Sequence, residues 1–409
     1  MRAGLGLAAL LVLLGLALGA PGLVFVGLLV AGTRGLAELW SRHGLRRVTY
    51  RRLLERRRAV WGDSVELTLE VTNGKWLPLA WLQVEEVVNE GTVVREVPLV
   101  PHELPGLVVL RRAWSLAPFQ RIRSHLHLEA VRRGIVRFES VRLSVADLFG
   151  RGVASQTLRQ PESVLVRPRT VPVQAATGTV VPLGTRRARQ GLLEDPALFA
   201  GVRPYQRGDP RRRIHQRASA RLGQPVSKRF EPSIARQVVI AVDLQTAPGP
   251  SWLLAYDEEL VEALIVAAAS LARYLLDAGA ACGLAANGWT YTPARVAVVP
   301  PRAGPGQLSR ITDVLARLSQ TPSAPFARLL ASLPARLPGG SLVLILGGRD
   351  PTDYLSAVAR LRGAGFAVRH LAMGPQAALH ASRLRAHGFD AAVAHLDPDW
   401  RRAASLTVA

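Results

Sequence analysis

The chain is 409 residues long, has a formal net charge of +22, and is 49% apolar with few aromatics. That composition excludes a disordered chain, and the length suits two or three units of about 100–200 residues each. A single cysteine, Cys282, excludes an intrachain disulfide and any cysteine-based zinc site.

Cys282 lies in the apolar run A-A-C-G-L-A-A. It reads as an inert core thiol in a chain suited to a reducing compartment. The charge is uneven. Residues 1–236 hold 37 Lys+Arg against 18 Asp+Glu, a net +19, whereas residues 237–409 hold 15 against 12, a net +3. Three sources of this excess stay open. One is an arginine-rich composition throughout. A second is attraction to anionic lipid headgroups, worth about 1 kcal/mol per basic residue near the surface. Nucleic acid is the third and least favoured.

From Ala3 to Gly32 no residue is charged. A bilayer core needs about 20 apolar residues in a helix. Gly19-Ala20-Pro21-Gly22 interrupts the run as a turn. The pattern predicts a transmembrane helical hairpin over residues 1–40, with helices near 3–19 and 22–40. Arg34 would snorkel to the interface, and Trp40 is placed as an interfacial anchor. The basic stretch that follows predicts a cytoplasmic body on a cell (cytoplasmic) membrane. The rival is a cleaved signal peptide ending at A-L-G-A, opposed by Pro21 and by the basic excess on the wrong flank.

Residues 47–170 read as a β-sandwich-like domain. V-E-L-T-L-E-V-T-N at 65–73 alternates with period two, and similar runs recur at 79–88, 92–100, 107–115, 122–130 and 135–145. Trp61, Trp76, Trp81 and Trp114 read as core or sheet-face residues. His125 and His127 would share one strand face, a possible metal geometry. No carboxylate or third histidine stands beside them in sequence, so a solvated face is expected.

The segment 190–235 is the most distinctive. Gly208-Asp209-Pro210 signals a turn. Helical spacing then places Arg213, Arg217 and Arg221 on one stripe. Such a strip can grip an acidic surface, phosphate or lipid headgroups, or it can clip the segment to its own neighbour.

Residues 236–400 alternate strands and helices. Strands are predicted at 237–244, 281–287, 295–299, 342–347 and 366–372. Helices are predicted at 258–279, 306–319, 323–333, 353–363 and 376–387. That alternation predicts a doubly wound parallel α/β sheet.

The order Phe199, Arg203, Tyr205, Gly208-Asp209, Arg213-Ile214-His215, Ser219-Ala220-Arg221, Val226, Lys228, Phe230 and Glu231 resembles the hallmark of the domain-of-unknown-function 58 family. Gln216 departs from it, standing where the family usually has Trp. The resemblance implies a membrane hairpin, a β-rich stretch and a von Willebrand factor A-like carboxy-terminal domain. It also implies a MoxR-type AAA+ ATPase as partner, in systems assisting protein assembly or maturation.

In the implied fold, a metal-dependent adhesion site needs Asp-x-Ser-x-Ser after the first strand. This chain has Asp243-Leu244-Gln245-Thr246-Ala247, and later Gly347-Gly348-Arg349-Asp350. The serine positions are lost and Arg349 opposes a cation, so the site is expected to be degenerate. Mg²⁺ is the only cofactor considered, and none is expected. Asp243 would cap a turn or pair with Arg349.

No G-x-S-x-G, P-loop or H-E-x-x-H occurs. The expectation is a non-catalytic adaptor bound to a lipid bilayer. Its docking face would combine the signature segment with the carboxyl edge of the sheet, through Arg203, Tyr205, Asp209, Arg213, Arg217 and Arg221. The alternatives are a membrane-bound hydrolase with an unrecognised site, for which His215 and Ser219 are the one spaced pair, or lipid or nucleic-acid binding by the basic half.

Overall fold

The computed structural model describes residues 2–146, 154–175, 199–205, 214–230, 237–247, 255–290 and 296–409. The chain divides into two units, Met1–Pro168 and Arg169–Ala409.

The first unit opens with helices α1 (Arg2–Ala17) and α2 (Pro21–His43), which pack against each other. Gly19 makes the turn at φ 57°, and Pro21 starts α2 where its missing N–H costs nothing. Small residues let the two backbones approach. A Cβ at Gly27 would lie 2.9 Å from the Val12 nitrogen and 3.0 Å from the Ala8 oxygen. Gly27→Val is therefore expected to destabilise the helix pair by about 1–3 kcal/mol. Faster proteolysis within the first 43 residues, with the β strands still protected, is the measurement that checks it.

The expected transmembrane hairpin is corrected. The helices pair, but no helix among the described residues is long and apolar enough to cross a membrane. α1 has 16 residues, about 24 Å at 1.5 Å per residue, short of a hydrocarbon core of about 30 Å. α2 has 23 residues, but Arg34 and Glu38 lie within it. They leave an uncharged run of only about 20 Å.

Eleven strands follow: β1 (Val48–Leu54), β2 (Arg58–Val60), β3 (Ser64–Asn73), β4 (Leu79–Asn89), β5 (Val93–Val94), β6 (Val100–Pro101), β7 (Leu107–Leu116), β8 (Arg121–Glu129), β9 (Gly134–Ala146), β10 (Ala154–Leu158) and β11 (Glu162–Arg167). One sheet has the order β1-β3-β8-β5. The other runs β2-β11-β9-β4-β7-β6, with β10 on β9. Val65, Leu67, Leu69 and Val71 on β3 share a buried core with Leu82 and Val84 on β4 and Val141 and Leu143 on β9. The period-two alternation delivers those residues to one face. The strand expected over 92–100 is only the two short pieces β5 and β6. Trp76 is not a core residue, being 66% exposed.

Inside the first unit a buried charge is fully paired. Arg52 Nη2 lies 2.8 Å from Glu86 Oε2, and both side chains are almost completely shielded from solvent. The Tyr50 hydroxyl donates to Glu86, and the guanidinium sits 4.4 Å over the Phe138 ring. Pairing of this kind offsets the desolvation of both groups.

The second unit contains β12 (Val173–Ala175), β13 (Phe199–Pro204), α3 (Gln216–Leu222), β14 (Val226–Phe230), β15 (Gln237–Val242), α4 (Glu258–Asp277), β16 (Ala281–Ala286) and β17 (Ala297–Arg302). α5 (Gln307–Arg317), α6 (Phe326–Ser332), β18 (Leu342–Gly347), α7 (Leu355–Gly363), β19 (Ala367–Ala372), α8 (Ala377–Ala386), β20 (Asp390–Leu396) and β21 (Leu406–Val408) complete it. β13 and β14 form a two-stranded sheet of their own. The main sheet has the order β12-β21-β20-β19-β18-β15-β16-β17.

The expectation of a doubly wound parallel domain is corrected as well. The main sheet is mixed: β16 pairs antiparallel with β17, and β20 antiparallel with β21. The connections there are about ten residues long, too short for the crossover helix that a parallel neighbour needs. β15 and β18 are neighbouring inner strands buried on both faces, which accounts for their unbroken apolar runs. Val239, Ala241, Val343 and Ile345 pack there against Phe326, Leu329 and Leu330 of α6.

Candidate functional site

The carboxyl ends of β15, β16 and β18 bring four polar side chains together. Asp243 directly follows β15 and is fully buried. Its Oδ1 accepts from the Gln245 backbone N–H at 3.0 Å and from Asn287 Nδ2 at 3.1 Å. Its Oδ2 accepts from Arg349 Nε at 2.9 Å. The sequence offered a turn cap or an ion pair for Asp243, and the structure has both.

Asn287 follows β16 and is fully buried. Its side-chain oxygen accepts from the Leu244 N–H at 2.8 Å, and its amide also donates to the Ala324 carbonyl at 3.2 Å. Arg349 follows β18 and reaches further. Its Nη1 lies 2.7 Å from Asp353 Oδ2, and the guanidinium sits 5.4 Å over the Tyr354 ring. Gln245 Oε1 accepts from the Phe326 N–H at 3.2 Å. Beside this cluster, Thr246 Oγ1 accepts from the Asp257 N–H at 2.7 Å, and the Asp257 side chain caps the start of α4.

Burial raises the Asp243 carboxyl above its ordinary range, while Arg349, the Gln245 N–H and Asn287 pull it back down. Burial alone would lower the Arg349 guanidinium, but its carboxylate partners Asp243 and Asp353 raise it overall. Both carboxylate oxygens of Asp243 are thus engaged by donors of this chain. A divalent cation there would meet a fixed guanidinium, so the residues present do not fit Mg²⁺.

Next to Arg349 is a cavity of about 10 Å³, room for about one water molecule. Gly347, Arg349, Tyr354, His370, His380 and Leu384 line it. His370 stacks on Tyr354 with ring centroids 5.9 Å apart, and meets the Phe389 edge. His370 Nε2 and His380 Nδ1 are buried without a hydrogen-bond partner. Burial pushes the His370 imidazole down to about 4, and burial also lowers His380. Neither histidine carries a sequence signal: the β18–β19 register places His370 here, and the packing of α8 on β19 brings His380.

The signature segment forms its own small assembly. β13 pairs antiparallel with β14, with Arg203 opposite Ser227. The Tyr205 N–H donates to the Pro225 carbonyl, and both Arg203 and Tyr205 are half-buried. Arg217 and Arg221 are exposed, one turn apart on α3. Asp209 and Arg213 lie outside the described residues. His215 and Ser219 serve the backbone. His215 Nδ1 accepts from the Ala218 N–H at 3.1 Å, and the Ser219 hydroxyl donates to the His215 carbonyl at 3.0 Å.

The histidines of the first unit lie on the solvated strand face that was expected, but they are not alone there. Carboxylates do stand beside them: His125 Nδ1 is 2.6 Å from Glu66 Oε1, and His127 Nδ1 is 2.5 Å from Glu96 Oε1. These partners come from across the sheet, where sequence spacing cannot show them. No group of three or more side chains suited to a metal ion occurs among the described residues.

The family model described as "Protein of unknown function DUF58" matches residues 201–359, which supports that family for this chain. No curated protein matches the chain. Among solved structures, it is similar to the CARDB domain of a Pyrococcus furiosus protein, at 13% identity over 29% of this chain and 91% of that one, with a TM-score of 0.19. A cohesin module from Clostridium perfringens gives 11% identity over 30% and 96%, with a TM-score of 0.20. Escherichia coli alpha-2-macroglobulin gives 24% identity over 30% and 17%, with a TM-score of 0.20. Likeness at this level carries no inference about fold or function.

Proposed function

We propose that this chain is a non-catalytic adaptor that captures a protein partner through the signature segment. The observation that carries this reading is the exposure of Arg217 and Arg221 on one face of α3. Two guanidiniums one turn apart can engage carboxylates of an acidic surface by paired hydrogen bonds. The match over residues 201–359 includes them. The family resemblance names a MoxR-type AAA+ ATPase as the partner, and the working role is assistance in protein assembly or maturation.

The adaptor works at a lipid bilayer. Leu10, Leu13, Leu16, Phe25, Leu28 and Leu29 on the helical pair are all more than half exposed. An apolar surface of that extent marks a protein or lipid contact. The basic residues that follow α2 favour an anionic headgroup layer.

The test is affinity capture of the full chain from its own membranes in mild detergent, with mass spectrometry of what co-purifies. The Arg217→Ala/Arg221→Ala variant should retain its melting temperature and its membrane fraction. Its partner recovery should fall at least tenfold, since hydrogen bonds to charged groups contribute about 1.5–3 kcal/mol each. Unchanged recovery by the variant, or no AAA+ ATPase captured by the well-folded wild type, removes this reading.

A further inference from the structure

The base of α2 is knitted to three loops at one end of the β strands. Trp40 Nε1 donates to the Pro78 carbonyl at 3.1 Å. The Gly74 N–H donates to the Arg47 carbonyl at 2.8 Å, and the Phe119 N–H to the Lys75 carbonyl at 3.2 Å. Asn73 ties the loops together, its Nδ2 donating to the carbonyls of Leu77 and Ala117 at 3.0 Å each. The β3–β4 loop, the β7–β8 loop and residues 44–47 therefore form one surface where the helical pair joins the β strands.

Two features of that surface are unfavourable in water. Trp76 is 66% exposed and Phe119 is 70% exposed, each at the tip of its loop. Among the described residues only Arg47 and Phe119 are non-glycine residues at positive φ, at 53° and 57°. A bulky side chain rarely accepts that backbone, and strain of this kind clusters at functional positions. Here the strained backbone presents a phenyl ring to the outside. Arg46 and Arg47, which precede β1, and Arg121, which follows the β7–β8 loop and donates to Thr72 Oγ1 at 3.2 Å, are exposed.

We infer that Trp76 and Phe119 are interfacial prongs that enter the headgroup region of an anionic phospholipid bilayer, with Arg46, Arg47 and Arg121 on the phosphates. The inference rests on the bilayer association proposed above and adds a second attachment to it. Aromatic rings with a basic rim suit the interface, where one part of a side chain is apolar and the other wet. The second attachment would fix the orientation of the first unit against the lipid.

The one cysteine makes the test direct. Cys282→Ser is combined separately with Trp76→Cys, Phe119→Cys and Leu104→Cys, and each full-length variant is labelled with a nitroxide. Leu104, 59% exposed beyond the other end of β7, is the aqueous control. The variants are bound to phosphatidylcholine/phosphatidylglycerol vesicles, recovered by flotation, and probed by electron paramagnetic resonance with oxygen and a water-soluble nickel chelate.

Labels at 76 and 119 should lose nickel accessibility and gain oxygen accessibility on vesicle binding, while the label at 104 changes in neither. If the chains float but labels at 76 and 119 stay as accessible to nickel as the label at 104, the prongs are overturned and the bilayer reading stands. Should the wild type itself fail to float, both fall together. The Trp76→Ala/Phe119→Ala variant of the unlabelled chain controls for folding: an unchanged melting temperature shows that the rings are not needed by the β strands.

Discussion

Arg349→Ala is expected to destabilise the second unit by about 3–5 kcal/mol, because it leaves a buried charge without its partner. For a unit of this size that is a fall in melting temperature of roughly 10 °C. The magnitude comes from Asp243, which is shielded completely and, among the described residues, is paired with no cation but Arg349. Asn287 and the Gln245 N–H would still hold one carboxylate oxygen, but the other would be left without its donor. The paired variant Asp243→Asn/Arg349→Met removes both charges together. It should recover most of the loss, since replacing a buried pair as a whole is often neutral. Calorimetry of the three chains checks this, and a single variant as stable as the wild type would show that the pair is solvated in solution.

The second large effect is on acid stability. His370 titrates near 6.5 when unfolded and at about 4 when folded, because burial disfavours the imidazolium. Between those values the unfolded chain binds the proton that the folded chain refuses. Stability from this group is therefore complete above pH 6.5 and is lost as the pH falls toward 4. A shift of that size corresponds to about 3 kcal/mol. Carboxylates with lowered values, such as Glu259 and Asp350, act at the acid end of this window and below it. His370→Phe keeps a flat ring against Tyr354 and should flatten most of the loss between pH 6.5 and 4.5, with His380 supplying the remainder. Urea midpoints across that range, read for both chains, give the answer. A variant that loses stability as steeply as the wild type would assign the acid sensitivity elsewhere.

What the residues reveal in advance follows the range of the interaction. The strand ending at Asp243 and the loop Gly347-Gly348-Arg349 are local patterns, and their pairing could be anticipated because two adjacent central strands must end together. The cap at Asp257 is similarly local, an acidic residue directly ahead of an apolar-periodic run. Asn287 and His370 join the same cluster only through the registers of β16 and β19, and Tyr354 through the turn that follows β18, and no spacing in the chain announces that. Glu66 and Glu96 reach His125 and His127 across the sheet for the same reason.

The errors have physical causes of the same kind. The turn at Gly19 lies where the uncharged run from Ala3 to Gly32 was expected to break, but the two helices it separates are each too short or too charged to cross a bilayer. Alternating strand and helix patterns suggested a wholly parallel sheet. Short connections beyond β16 and β20 instead turn the chain straight back. Within the signature segment, His215 and Ser219 have the spacing of a catalytic pair, yet the backbone of a short helix needs both groups first.

The pairing of β12 with β21 sets an order of events during synthesis. Val173–Ala175 lies parallel to Leu406–Val408, so this ladder joins segments roughly 230 residues apart. While a ribosome is still making the intervening chain, residues 173–175 have no partner strand. The flank of β20 is equally bare, since β21 covers it last. A nascent chain therefore carries two open strand edges until its final ladder closes. Such edges are templates for pairing between chains. A pause in translation anywhere between β20 and β21 would prolong that exposure, and a chaperone acting on this protein would have its longest opportunity there.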